Sequence, residues 1–383
     1  MKRQYLLLLA IILFTTIIIS CKQNKSGEMI APNLFFEYKE KQHLSEIISD
    51  IEYIRLETND SCLIGNIKQV LCYNDKFYIL DSSTKSISVF SNKGQYTGKI
   101  SSVGQGPGEY AMPHSMTIDK VHNMLYVNDV MQNKILIFDA TSLKFESERF
   151  STIEAQDFCF LNNDTTIAWY GISGINYNGK LFNYHIMISN LDNSILKNLI
   201  PVEFSTGYLL RPVSPFFQTD TSVIFSHPYQ GIVYELSSQD SKELFTINFQ
   251  KHKFPSVDYL KTNGQNSNFV KNIYQSGYVV FFNTFTTDNS SCINFYADNT
   301  YFMAVYNKRN AKGVYFPVNI VKNNHLENTI DDDMGILIYN NPTFCDGNYY
   351  YSLITPQSIV DKKENHIGRF HPQLQQIINE LLI

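Results

Sequence analysis

A 48-residue spacing constrains this 383-residue chain more than any other feature. Tyr78, Asp81, Ile87, Val89 and Phe90 recur as Tyr126, Asp129, Ile135, Ile137 and Phe138, each 48 positions further on. Within each copy, short β-branched and aromatic runs such as Phe77-Tyr78-Ile79-Leu80 and Ile87-Ser88-Val89-Phe90 alternate with Asn, Asp, Ser and Gly. Runs of that kind are strands separated by turns. Fainter copies follow at Thr166–Trp169 with His185–Ile188, Val223–Phe225 with Gly231–Tyr234, Tyr278–Phe281 with Tyr301–Tyr306, and Tyr349–Leu353. A unit of four strands in about 40 to 50 residues is a propeller blade.

From Ile64 to about Lys362 there is room for six such units if two carry insertions. The reading is therefore all-β, a six-bladed β-propeller. Its sixth unit lacks an outer strand, while Ile51-Glu52-Tyr53-Ile54-Arg55-Leu56 stands unused before the first. Pairing that segment into the last blade removes an open edge, so an N-terminal strand is expected to close the ring. Leu374, Ile377, Ile378, Leu381 and Leu382 follow helical spacing behind Pro372, which predicts a short C-terminal helix packed on the ring.

The other end of the chain is of a different kind. Met1-Lys2-Arg3 precedes an uncharged apolar run from Tyr5 to Ile19, then Ser20-Cys21. These are the parts of a secretory signal peptide, and the run is shorter than the roughly 20 residues a spanning helix needs. Ile18-Ile19-Ser20-Cys21 resembles a bacterial lipobox, which implies cleavage before Cys21, lipid on its thiol and a membrane as partner. The expected layout is a signal peptide over 1–20, a lipidated tether over 21–40 and a propeller over 41–383. Lys22 and Lys25 follow without an acidic cluster, which points to an outer-membrane lipoprotein facing the periplasm rather than the cell surface.

Composition excludes some functions. A net charge of −5 with a pI near 6.0, and no long Lys/Arg patch, argue against nucleic acid. The cysteines at 62, 72, 159, 292 and 345 show no metal-type spacing and read as buried thiols, with a Cys62–Cys72 bridge left open. Nine histidines form no HxxH pair, and no serine sits in a G-x-S-x-G elbow. No cofactor is expected.

Ile54-Arg55-Leu56-Glu57-Thr58, Gly65-Asn66-Ile67 and above all Gly104-Gln105-Gly106-Pro107-Gly108-Glu109-Tyr110 resemble the six-bladed β-propeller lipoproteins of Bacteroidetes. The similarity runs from about residue 40 to the end. That family is compared with NHL-type and TolB-like propellers and with the peptidyl-hydroxyglycine lyase, so the resemblance implies architecture and location rather than a reaction. The glycine motif does not suit a phosphate cradle, because Pro107 removes a donor and a strand rather than a helix is expected next. It reads as a tight crossing between blades, from which Glu109 and Tyr110 are candidates to reach a ligand.

In a propeller, the crossings between blades and the loops between second and third strands share one face around the channel. The repeat offset places His114 level with Asn66 and with the Leu210–Arg211 region, and their counterparts at Gln156 or Asp157, Lys271 or Asn272, and Asp332 or Asp333. The loop of blade four adds His227-Pro228-Tyr229. Arg211, His114, His227, Tyr229, Asp157, Asp333, Glu109 and Tyr110 are thus the candidate ligand-binding residues, and Tyr170, Tyr177, Tyr208 and Tyr229 the candidates for stacking. Two functions remain open. One is an envelope binding or scaffold propeller for a glycan, peptide or partner protein. The other is an NHL-like metal-dependent lyase or hydrolase, with His114 and His227 near the metal and Arg211 holding an anion.

Overall fold

The structure is a computed structural model that describes residues 31–161, 166–206, 214–219, 222–322, 325–330, 332–335, 342–356, 359 and 370–381. Asn33–Ile383 forms the unit described below. It is a six-bladed β-propeller.

A short strand, β1 (Asn33–Tyr38), comes first. Blade one is β2 (Ile67–Tyr73), β3 (Lys76–Asp81), β4 (Ser86–Ser91) and β5 (Tyr96–Ile100), and blade two is β6 (Pro113–Asp119), β7 (Met124–Asp129), β8 (Lys134–Asp139) and β9 (Phe145–Phe150). After a short β10 (Ile153–Glu154), blade three pairs β11 (Asp157–Phe160) and β12 (Thr166–Tyr170) with β15 (Tyr184–Asn190) and β16 (Ile195–Pro201). An inserted hairpin, β13 (Ile175–Tyr177) and β14 (Lys180–Phe182), interrupts it. Blade four is β17 (Phe216–Gln218), β18 (Val223–Ser226), β19 (Ile232–Leu236) and β20 (Ser241–Phe249). Two short helices, α1 (Val257–Asn263) and α2 (Phe269–Gln275), lead to blade five, β21 (Val280–Thr286), β22 (Ser290–Ala297), β23 (Thr300–Asn307) and β24 (Lys312–Lys322). β25 (His325–Asn328) pairs with β24, and the sixth position holds the hairpin of β26 (Phe344–Cys345) and β27 (Tyr350–Tyr351) before the C-terminal helix α3 (Pro372–Leu381).

Burial falls off along each blade in a way the residues foretell. The middle strands β3, β4, β7 and β8 are buried on both sides, because each blade is sandwiched between two others, and they read as continuous apolar runs. The outer β9, Phe-Glu-Ser-Glu-Arg-Phe, is mostly exposed. Tight turns use the expected chemistry: Asn74 and Asp75 both take positive φ, 47° and 55°, as a two-residue hairpin turn between twisted strands requires.

The core is a ring of interfaces. Apolar clusters fill the junctions of blades one and two, two and three, three and four, and four and five. The ring then closes through the N-terminal segment. Leu44, Ile47, Ile48, Ile51 and Tyr53 pack with Met303, Phe316 and Tyr350, and Ile54 and Leu56 pack with Phe77, Phe90, Phe344 and Tyr351. Residues 51–58 carry no ladder of their own. Instead the Gln373 carboxamide of α3 accepts from Tyr53 N–H at 3.0 Å and donates to Tyr53 C=O at 3.2 Å, and Arg55 pairs with Glu380. The segment expected to close the ring does so, with α3 as its hydrogen-bonding partner in place of a strand.

One boundary moves. β1 falls inside the stretch read as tether over 21–40, and it runs parallel to both β20 and β24, joining the outer edges of blades four and five in one ten-stranded sheet. Its alternation explains this: Leu34 and Phe36 are buried while Phe35 and Glu37 are exposed. Cys62 and Cys72 are free thiols, Cys62 Sγ lying 3.3 Å from the Glu57 carbonyl.

Candidate functional site

Asp129, the last residue of β7, is fully buried and accepts from the crossing, Ala111 N at 2.6 Å and Met112 N at 3.3 Å, as well as from the turn before β8, Met131 N at 3.0 Å and Gln132 Nε2 at 2.7 Å. Its repeat partner Asp81 takes Gly65 N at 2.6 Å, Asn66 N at 3.1 Å, Ser83 N at 2.8 Å and Ser83 Oγ at 2.6 Å. Burial pushes the Asp81 carboxyl upward, yet the bonds from Gly65, Ser83 and Asn66 outweigh it and hold the group at about 2. These clips fix crossing and turn onto one face.

The glycine motif is part of that frame. Glu109 Oε2 accepts from Gly106 N at 2.8 Å, Lys134 Nζ donates to Gly106 O at 3.2 Å, and Glu148 Oε2 accepts from Gly108 N at 2.9 Å. Gly108 has φ +75°, which only glycine adopts without strain, and a Cβ on Gly104 would meet Glu109 Oε2 at 2.0 Å. Tyr110 is fully buried with its hydroxyl donating to Ile100 O at 3.1 Å. Glu109 and Tyr110 are thereby engaged in holding the crossing together.

The channel mouth is built by the inner strands. Gln69 of β2 holds both Met116 N and Met116 O of β6 at 2.8 Å, and Thr117 Oγ1 accepts from Phe160 N of β11 at 3.0 Å. With those levels fixed, His114 stands beside Lys68 on one side and at the height of Gln156–Asp157 on the other. Lys68 Nζ lies 3.0 Å from His114 Nδ1. An ammonium only donates, so His114 Nδ1 is the acceptor and the ring proton sits on Nε2. Asp157, nearly buried, accepts from Ser214 Oγ at 2.5 Å and from its neighbour Phe158 N at 2.8 Å. Lys68 and His114 on one side, and Asp157 and Ser214 on the other, therefore form two polar pairs at one level of adjacent inner strands.

Blades three and four depart from this plan. Where blades one and two carry an aspartate clip, His185 and His227 meet with ring centroids 4.5 Å apart and planes at 82°, both buried. Phe204, Phe225 and Tyr234 surround them. His185 Nδ1 faces Gly171 O at 3.1 Å and His227 Nδ1 faces Pro228 O at 2.8 Å, so each ring spends its proton on a carbonyl. Burial depresses both, to about 4 for His185 and about 3 for His227, the neighbouring ring adding to the effect on His227. Tyr229 is buried against Phe204 and Phe269, at φ 66°. His227 and Tyr229 are thus core groups beneath the face.

Other expectations shift with the geometry. Asp333 is exposed but tied to Ser45 N and Ser45 Oγ, anchoring the N-terminal segment, and Ser45 holds its carboxyl below the usual range. Lys271 and Asn272 lie on α2, an insertion the strand repeat does not foretell. Tyr170 is core and Tyr177 half-buried on the inserted hairpin. Cys21, Tyr208, Leu210 and Arg211 lie outside the described residues. Among the described residues no three His, Cys, Asp or Glu side chains are grouped to hold a metal. Sequence reasoning missed Lys68 and His185. Lys68 has a visible signal, because its 48-residue counterpart is the apolar Met116.

Comparison with known proteins bears on the fold. The pattern of a family described as a 6-bladed beta-propeller matches residues 21–334. A crystal structure of a candidate exported protein from Bacteroides fragilis is 20% identical with a TM-score of 0.74, covering 91% of this chain and 95% of that one. A member of the duf4221 family from Bacteroides vulgatus is 9% identical, covering 71% and 89%, with a TM-score of 0.47, too low to carry an argument. No curated protein matches.

Proposed function

The chain belongs to this six-bladed β-propeller family, and from that premise we propose that it is a lipid-anchored binding propeller of the cell envelope, taking a glycan, peptide or partner protein at the mouth of its channel. The observation that carries the reading is the level rim of Lys68, His114, Asp157 and Ser214 on the inner strands of adjacent blades. Lys68 supplies a positive charge and His114 an Nε2–H donor, a pair suited to a carboxylate, while Asp157 suits hydroxyl or amide donors. Such a mixture fits a ligand that carries both kinds of group. The enzyme reading draws no support from the geometry, since His227 is committed to His185 and the aromatic core while His114 stands with Lys68.

Muropeptides combine sugar hydroxyls, amides and free carboxylates, and serve as the probe. Titration calorimetry is expected to show binding to the wild type that weakens by roughly tenfold or more, about 1.4 kcal/mol, in Lys68→Ala and in His114→Ala. Melting temperatures should stay within about 3 °C of the wild type, since neither residue fills the core. Binding that is unchanged in both variants contradicts the site. Failure of muropeptides, neutral oligosaccharides and envelope-derived peptides alike to bind contradicts the function.

A further inference from the structure

The two buried histidines answer no requirement of the channel mouth. We propose that the His185–His227 pair is an acid-sensitive latch, protonation of either ring opening the seam between blades three and four at the crossing face.

Among the described residues the geometry offers no partner for a charge on His185. Both rings are about 2% exposed or less. Each Nδ1–H is already spent on a carbonyl, so a second proton must go to Nε2, and His185 Nε2 is buried with no hydrogen-bond partner. The elements packed around the pair contribute the end of β12 with Tyr170 and Gly171, the crossing with Phe204, Phe225 of β18, the turn Pro228–Tyr229, and Tyr234 of β19. Among the described residues, their titratable groups are the phenols of Tyr170, Tyr229 and Tyr234. Glu203 and Glu243 act on Tyr234 rather than on either imidazole. A charged ring would thus meet aromatic walls, a second imidazole and an acceptor-free nitrogen, and water is the better solvent for it. The turn it would release is already strained, with Tyr229 at φ 66°.

The sign follows from linkage. Depressed in the folded state, the histidines bind fewer protons there than in the opened one, so acid favours opening. The effect begins as pH falls through about 6.5, the ordinary value for an exposed imidazole, and saturates near the folded values of about 4 and about 3. Between pH 7 and pH 5 the opening constant rises roughly 20-fold for each ring that becomes exposed.

Hydrogen exchange at the two pH values, expressed as protection factors to remove the intrinsic rate change, reads this directly. The wild type is expected to lose roughly 20-fold or more protection at 171–172, 185–186, 204–206 and 226–232, with blades one and two unchanged. His185→Phe combined with His227→Gln, which cannot titrate, should flatten the profile. Histidine C–H resonances of the wild type guard against a variant that fails to fold: both rings should stay neutral until the seam opens. Equal protection at pH 7 and pH 5, or a ring that titrates near 6.5 with protection intact, overturns the latch.

Discussion

At single residues, the two buried aspartates of the repeat show how one side chain can place two loops. Asp129 ties crossing and turn together in blade two as Asp81 does in blade one. Asp129→Ala leaves several buried N–H groups without their acceptor and is expected to cost about 3 kcal/mol in denaturant unfolding. Asp81 adds a pH signature. Its folded value of about 2 lies below that of the unfolded chain, so its contribution is complete above pH 4 and is lost as pH falls toward 2. An Asp81→Asn variant should show a shallower acid limb in stability against pH, and an unaltered limb would remove Asp81 from the account. Both aspartates were legible from the 48-residue spacing. Lys68 is signalled only as a break in that spacing, and His185 is not signalled at all, because it stands in a strand-like run, His185-Ile186-Met187-Ile188, whose periodicity says nothing of what lies across the blade junction.

Among the secondary-structure elements, the two chain ends carry the closure. Gln373 of α3 supplies the donor and acceptor a neighbouring strand would otherwise give Tyr53. Gln373→Ala should therefore cost about 1–2 kcal/mol, and Leu374→Ala, which empties a fully buried position of the same helix, about 2–4 kcal/mol. β1 is the other load on the rim. Phe36 is fully buried between β20 and β24, and Phe36→Ala should lose about 3–5 kcal/mol and expose two unpaired edges, seen as aggregation on heating. A soluble variant with an unchanged melting profile would show that β1 is dispensable. Here the sequence misled on one point and was silent on another. Asn33–Tyr38 reads as tether because six residues of strand pattern ahead of the first blade have no repeat to align with. α1 and α2 were not foreseen because seven-residue helices are too short to display a helical period.

For the whole molecule, the unit Asn33–Ile383 is a closed ring with a polar rim at one end of its channel, and the ring count followed from repeat length alone. The chemistry at the rim did not, because the blades diverge in sequence there, and only the register of β2, β6 and β11 brings Lys68, His114 and Asp157 to one height. The anchor is tested separately: radiolabelled palmitate should enter the wild type in cells and be absent from Cys21→Ala. The measurement that reaches the central claim most directly is a hydrogen-exchange footprint of the protein with and without muropeptides. The account predicts added protection at 66–68, 111–114 and 156–158, on the crossing face around the channel. Protection confined to the opposite turns, 74–76, 92–95 and 140–144, would contradict it.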